Sequence, residues 1–311
     1  MRIPNHHDHL LARRSPFELT VGVYREIAVE NWPTLLPTLL RPDRTHRKEG
    51  IGKKHFQLPV FGLECRRDSK EALNMQSVGV IRQVARYPVK SMRGEACPSL
   101  PLTLQGFEED RRFAFVQAES RSAFPWLTAR ELPELLGWQT SIEKPGTSEV
   151  SVIVTTPDGE RWPIASAELR QAVEKRFGKP VFLLRDYRGS FDVSNVSLIS
   201  EQTVQRIAEE SGIEPNPWRF RPNLLVNLEG GAAFDELKWV GRILRLGNKA
   251  RIAVTEVDER CVMITLDPTT IERAPQVLKC VVQQHNKCAG VYATVLTPGE
   301  VRTGDAIILE Q

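Results

Sequence analysis

The 311-residue sequence has no CxxC pair; its five cysteines stand at 65, 97, 261, 280 and 288 without regular spacing. That argues against a disulfide framework and for a reducing compartment. Histidine is scarce in the body of the chain. Five of the six (His6, His7, His9, His46, His55) precede residue 56, and only His285 follows. A histidine-built zinc or non-haem iron centre in the body is therefore disfavoured. No apolar run approaches the roughly 18 residues of a membrane span. The densest patch, Leu35-Leu36 with Leu39-Leu40, is broken by Pro33 and Pro37. No Gly-rich dinucleotide fingerprint is present. An excess of one charge is missing too. Residues 1–76 hold 13 Lys/Arg and 9 Asp/Glu, and the remainder holds 29 and 30. The body is thus no broad polyanion-binding surface, nucleic acid is not an expected partner, and any anion site must be a local pocket.

The length suggests about two domains. At 41% hydrophobic and 26% charged residues the composition is ordinary for a globular protein. Residues 1–76 do not read as a domain. His6-His7-Asp8-His9 fits a solvated polar terminus, and residues 41–54 are a basic run without apolar period. Arg13-Arg14 is followed by no apolar core, so there is no signal-peptide architecture. Asp8, Glu18, Glu26 and Glu30 are unusual in a transit peptide. The segment is expected to be a poorly structured extension, with Met75 as the natural start. The expected location is cytoplasmic, with mitochondrial association left open.

From Val78 the pattern changes to short strands. Residues 78–84 read as a strand leading into Arg86-Tyr87-Pro88-Val89-Lys90-Ser91, where Pro88 keeps Tyr87 extended. Residues 106–110 form a polar turn before the strand-like Phe113-Ala114-Phe115-Val116. Thr128-Ala129-Arg130-Glu131 reads as a capping box opening a short helix that ends at Gly137. Asp158-Gly159 signals a hairpin, and residues 167–177 a helix closed by Gly178. After a strand over 180–184, Ser200 caps a helix ending at Gly212. Further strands are expected over 224–227, at 243–246 and 252–254 around Gly247-Asn248, and over 290–296 and 306–309. Many short strands with little helix point to a mainly β, barrel-like fold.

The densest chemistry is Glu259-Arg260-Cys261-Val262-Met263-Ile264-Thr265-Leu266-Asp267-Pro268. A thiolate is a soft ligand and a good nucleophile, and an adjacent cation favours it over the thiol. A buried structural cysteine is the plainer alternative for such a residue taken alone. Lys90 beside Ser91 offers an ammonium and a hydroxyl to one anion. Trp218-Arg219-Phe220-Arg221 alternates cations with aromatics before Pro222-Asn223.

Taken together, Tyr87-Pro88-Val89-Lys90-Ser91, Asp110-Arg111, Phe220-Arg221-Pro222-Asn223, Arg260-Cys261 with Asp267-Pro268, and Gly304-Asp305 resemble the MOSC superfamily. More closely, the chain is similar to the branch with an N-terminal β-rich domain, which includes the mitochondrial amidoxime-reducing component and its bacterial relatives. The resemblance implies an N-terminal MOSC domain over 77–180 and a MOSC β-barrel domain over 181–311. It implies that Cys261 ligates the molybdenum of a pterin-phosphate cofactor, the molybdenum cofactor. By position, Lys90, Ser91, Arg111, Ser194, Arg221, Asn223 and Arg260 are then its polar donors. Asp267 either lies near the metal or orients its neighbours, and Thr128 and Arg130 are structural or at the pocket edge. A family-level association with pyridoxal phosphate accompanies the resemblance. Where relatives often have glycine after Asp-Pro-x-Thr, this chain has Ile271, so the loop beyond Cys261 is expected to differ, with substrate range the property affected. No cysteine follows 288, so the iron–sulfur cluster of some bacterial relatives has no ligands there.

The expected activity is two-electron reduction of small N-hydroxylated compounds by N–O cleavage, with electrons from a separate flavin, haem or iron–sulfur protein. Two other readings stand beside it. In one, Cys261 carries a persulfide for metallocofactor sulfuration. In the other, the protein is a non-catalytic β-barrel binding module.

Overall fold

The structure, a computed structural model, describes residues 76–143 and 151–310. The expectations about Cys65, Met75 as a start, and the tail before it lie outside the described residues. Strands β1 (Gln76–Arg86), β2 (Glu95–Cys97), β3 (Ser99–Thr103), β4 (Gly106–Phe107) and β5 (Phe113–Gln117) come first. A 3-10 turn at Pro133–Gly137 precedes β6 (Gln139–Glu143), β7 (Ser151–Thr155), β8 (Arg161–Pro163), helix α1 (Ala167–Phe177) and β9 (Val181–Arg185). Then follow β10 (Val196–Ser200), α2 (Glu201–Ser211), β11 (Leu224–Leu228), β12 (Ile243–Leu246) and β13 (Ala250–Glu259). The last elements are α3 (Pro275–Gln284), β14 (Cys288–Thr297), β15 (Gly299–Arg302) and β16 (Ala306–Glu310). The mainly β expectation holds.

Seven strands close a barrel in the order β11-β10-β14-β13-β12-β16-β1, and β1 pairs back onto β11. Closure leaves no open edge for another chain to extend. Alternation in β13 puts Ala250, Ile252 and Val254 inside and leaves Arg251 and Ala253 half-buried. Ile81, Val84, Leu198, Val226, Leu244, Ile252 and Val291, each at most 1% exposed, fill the interior. Gly79 sits where β1 is paired on both sides, with Leu228 and with Ile307. A Cβ there would come within 2.3 Å of the Asn227 carbonyl oxygen, so the seam closes only with glycine.

A second core lies under β5–β9 and the three-stranded sheet β6-β7-β8. It gathers Val89, Phe115, Trp138, Val154, Leu169 and Val173. α1 forms as its signals predict. The Ser166 hydroxyl accepts from the Leu169 amide, and Gly178 ends the helix at φ 79°. Ser200 caps α2 in the same way. Each such cap stabilises its helix by about 1 kcal/mol.

Strand pairing crosses the boundary expected at 180/181: β9, beyond it, pairs with β5, while β1, before it, closes the barrel. Two expectations need correction. The helix expected over 128–137 is a turn and a 3-10 segment. The Thr128–Glu131 box does form, with the Thr128 amide donating to Glu131 Oε2 at 3.0 Å, but Pro133 interrupts the run of amides a helix needs. Helix α3 was not foreseen. It starts at Pro275 without a side-chain cap and buries Val277, Cys280 and Val281. Among the described residues no helix is long and apolar enough to cross a membrane.

Candidate functional site

The segments after β1, β5 and β9 face the barrel's Pro217–Arg219 turn and the end of β13 across a cavity of about 380 Å³. Cys261 lies on its wall. β13 ends at Glu259, and Cys261 holds extended backbone before the 3-10 turn Val262–Thr265. Of the residues expected from sequence, Lys90, Ser91, Arg111, Ser194, Arg221, Asn223, Arg260 and Cys261 all line this cavity, and Asp267 does not.

Beneath the cations is a knot tied by Asp110, which is fully buried. Its Oδ1 accepts from the Tyr87 amide at 2.6 Å, and its Oδ2 accepts from Asn223 Nδ2 at 3.0 Å and from Arg111 Nη1 at 2.5 Å. Asn223 also donates to the Ala85 carbonyl and accepts from the Ser197 amide. With both ends engaged, Asn223 is a brace under Arg111 and not the ligand donor expected from sequence. The Arg111 and Arg221 guanidinium carbons stand 4.7 and 4.3 Å from the centroid of the buried Tyr87 ring. Burial, with Arg111 close by, pushes Arg221 down to about 10, although Tyr87 opposes the shift. For Arg111 burial acts the same way, but Asp110, Tyr87 and Tyr292 together outweigh it and raise the group. An added anion beside Arg221 would relieve an electrostatic cost that the protein now bears.

Ser91, Arg111 and Arg221 all hold left-handed backbone, with φ of 65°, 52° and 52°. For a non-glycine residue this costs roughly 1–2 kcal/mol each. Such conformations gather where side chains must be aimed rather than merely packed.

Other expected donors are partly spent. Lys90 Nζ donates to the Ser190 carbonyl at 2.8 Å and to Asp192 at 2.7 Å. Burial lowers its pKa against the pull of Asp192. The Ser194 hydroxyl donates to the Ala293 carbonyl. Arg260, expected to be the cation beside the thiol, donates to the Ala289 and Phe220 carbonyls and pairs with Asp258 at 2.9 Å. Consecutive side chains on extended backbone project to opposite sides, which parts it from Cys261. Gly290, at φ 79°, makes room for it, since a Cβ there would lie 3.0 Å from Arg260 Nη2 and 2.5 Å from the Leu198 carbonyl oxygen.

The cation that does touch the thiol is Arg130, whose Nη2 donates to Cys261 Sγ at 3.5 Å. The sequence placed it only at the pocket edge. Arg219, given no role by the sequence beyond its place in the cation–aromatic run, and Asp258, not singled out at all, are two further lining residues. Arg219 donates to Asp267 Oδ2 at 2.8 Å, while its buried Nε has no acceptor among the described residues. Asp267 therefore acts by orienting Arg219. Burial alone would raise its carboxyl, but the Thr270 and Thr269 amides and Arg219 hold it below the usual range. Asp258, 3% exposed, is pushed up to about 6 by burial against the pull of Arg260 and a hydrogen bond from Tyr292.

Ile271, where relatives often have glycine, adopts φ 65°. The backbone demand survives without the residue that meets it most easily. Its side chain instead packs beside Leu136 and Leu266.

Over 255 residues the chain is 26% identical to the molybdenum cofactor sulfurase of Drosophila willistoni, covering 70% of this chain and 31% of that protein. Over 276 residues it is 25% identical to the molybdenum cofactor sulfurase of Drosophila erecta, covering 73% and 34%. The chain thus spans about a third of the length of these curated relatives. The crystal structure of the YUAD protein from Bacillus subtilis aligns with 76% of this chain and 99% of its own, at 13% identity and a TM-score of 0.42. Residues 78–179 match the MOSC N-terminal beta barrel domain and residues 186–308 match the MOSC domain. The two matches run in order through nearly all the described strands and take in every residue around the cavity, and so the chain belongs to the MOSC superfamily.

Proposed function

We propose that the cavity binds the molybdenum cofactor, with the Cys261 thiolate as protein ligand to molybdenum, and that the protein reduces N-hydroxylated compounds. One observation carries this reading. The Cys261 sulfur faces a cavity lined by six cationic side chains against four acidic ones, and a guanidinium is hydrogen-bonded to it. The donor set fits such a ligand. A soft sulfur suits a thiophilic metal. Arg221 is buried beside like charge, and the orphaned Arg219 Nε gives a polar ring edge a donor. The volume falls within the range of small-molecule sites.

When bound, the cofactor supplies the two-electron redox chemistry of N–O cleavage. The chain's own residues do the rest. Arg111, Arg221 and Lys90 hold the phosphate, Asn223 and Asp110 fix Arg111, and Asp267 fixes Arg219. Asp258, titrating near 6, can take up and return a proton inside the cavity. Electrons come from a separate flavin, haem or iron–sulfur protein. The pyridoxal phosphate association has less support: the lining's one lysine, Lys90, is ion-paired with Asp192.

A second reading, sulfur transfer through a Cys261 persulfide, is favoured by the name of the Drosophila relatives. Molybdenum and pterin analysis of protein from a cofactor-competent host separates the two. Stoichiometric metal, with turnover on a strong chemical reductant but not on reduced nicotinamide, supports the reductase. Labile sulfur on Cys261 without metal supports the carrier, and neither result would leave a binding module.

A further inference from the structure

On the side of the barrel covered by α2 and α3, three side chains of different chemistry converge. Glu210 comes from the last turn of α2, Cys280 from within α3, and His285 from its C-cap. His285 Nε2 lies 2.5 Å from Glu210 Oε2, and Cys280 Sγ donates to the same oxygen at 3.4 Å. The three ligand atoms all lie within 4.8 Å of one another. The imidazole is stacked on Phe234, with centroids 4.0 Å apart and planes 20° from parallel, which fixes the ring. Cys280 is 5% exposed, while the His285 and Glu210 side chains keep 15% and 22% of their surface open. None of the three lines the cavity that holds Cys261.

We infer that Glu210, Cys280 and His285 form a second, independent site that binds one Zn²⁺-class ion between α2 and α3. Sulfur, imidazole nitrogen and carboxylate oxygen are together a borderline-soft set, which suits zinc and disfavours magnesium or calcium. Zinc bonds of about 2.0–2.3 Å in a tetrahedron place ligand atoms about 3.5 Å apart. The Cys280–Glu210 spacing already meets this. The His285–Glu210 contact opens by about 1 Å, which two partly exposed side chains at helix ends can supply. Solvent reaches the group from the open side and supplies a fourth ligand. On binding, the Cys280 proton leaves to solvent, and the three contacts become metal bonds. Arg206 Nη1, 3.9 Å from Glu210 Oε1, pairs with the other carboxylate oxygen and leaves Oε2 for the ion. Val277 and Val281 of α3 share a core with Ile264, in the turn after Cys261, so a filled site would stiffen the support of that turn.

The test uses the full chain with His6→Ala, His7→Ala, His9→Ala, His46→Ala and His55→Ala, which removes the rival imidazoles. Chelator-treated protein is titrated with Co²⁺ and then Zn²⁺. One equivalent of Co²⁺ should bind with a thiolate-to-cobalt charge-transfer band, and Zn²⁺ should displace it and raise Tm. Cys280→Ser and His285→Gln should each weaken binding by more than about a hundredfold, the most that loss of even an outer partner costs. Should Cys280→Ser fail to fold, His285→Gln, with its partly exposed side chain, decides alone. Cys261→Ala and Cys288→Ala should bind as the parent does. Absence of the thiolate band, unchanged affinity in His285→Gln, or loss of binding in Cys261→Ala overturns the proposal and leaves a hydrogen-bonded polar cluster.

Discussion

Arg130 and Cys261, 131 positions apart in sequence, meet through a hydrogen bond from guanidinium Nη2 to thiol sulfur. Arg130 follows β5 on one side of the cavity, and Cys261 follows β13 of the barrel on the other. The sulfur's environment therefore depends on the docking of both segments. A cysteine placed by the barrel alone would lack its cation.

Replacing Cys261 by Ala should abolish molybdenum-dependent reduction while leaving the fold intact. The residue is half-buried and outside the hydrophobic cores, so stability should stay within about 0.5 kcal/mol of wild type. Reductant-driven turnover and a thermal melt, measured on the same sample, check this. A folded Cys261→Ala protein that still turns over would sink the reductase reading. Cys97 and Cys288 should each tolerate Ser without loss of activity.

Arg130→Ala isolates the guanidinium. The side chain is exposed, so melting should be nearly unchanged. Turnover or cofactor retention should fall by roughly tenfold or more, the scale of one charge-assisted hydrogen bond. Arg130→Lys should recover part of it. Equal cofactor content and turnover in Arg130→Ala and wild type would make the contact incidental.

Arg111 and Arg221 should part company, although both are motif arginines on one ring. Arg111→Ala leaves the fully buried Asp110 without its cation and should cost about 3–5 kcal/mol of stability. Arg221→Ala removes a buried charge beside like charge, so it should change stability by only about 1 kcal/mol. Its effect should fall on molybdenum and pterin content, lowering affinity about 10–100-fold, with Arg221→Lys rescuing only in part. Chemical denaturation with metal analysis reads both. Matching denaturation midpoints, or unchanged occupancy in Arg221→Ala, would contradict the assignment.

Asp258 gives a pH signature. Its carboxyl is raised from 3.8 to about 6, so between those values the folded state binds more protons than the unfolded one. Stability from this group is present at low pH and is lost as pH rises through about 6. Relative to Asp258→Asn, the wild type should lose about 2 kcal/mol of unfolding free energy from pH 4 to 7. Groups held low, such as Asp192 and Asp267, tilt the absolute curves the other way. They are shared by both proteins, so the difference is the measure. A difference that is flat or rises with pH would show that Asp258 is not held up.

Much of this was legible in the sequence where the signal is local. Alternating apolar residues, Asp158-Gly159, Gly178 and Ser200 each act within a few residues and appear where their chemistry requires. Eight of the nine residues assigned to the site do line one cavity. The misses share a different cause. Whether Asn223 has a free donor depends on Ala85, Asp110 and Ser197, none of them its neighbour in sequence. Arg260 looked like the cation for Cys261 because the two are adjacent, yet adjacency on extended backbone separates side chains. Arg130, Arg219 and Asp258 gain their importance only from contacts that the closed barrel brings together. α3 escaped because it begins at a proline with no polar cap and is only 10 residues long.

β1 pairs at once with β11 and β16, so the first described strand to be synthesised waits for the last before its second edge is filled. No chain that lacks β16 can complete the barrel. The closing event pairs Gln76 with Leu309 and is among the most non-local contacts this chain can make. Such topology slows folding because loop-closure entropy comes due before the pairing that offsets it. Until then β1 is an unpaired apolar edge, and the nascent chain is at its most vulnerable to association with its own copies.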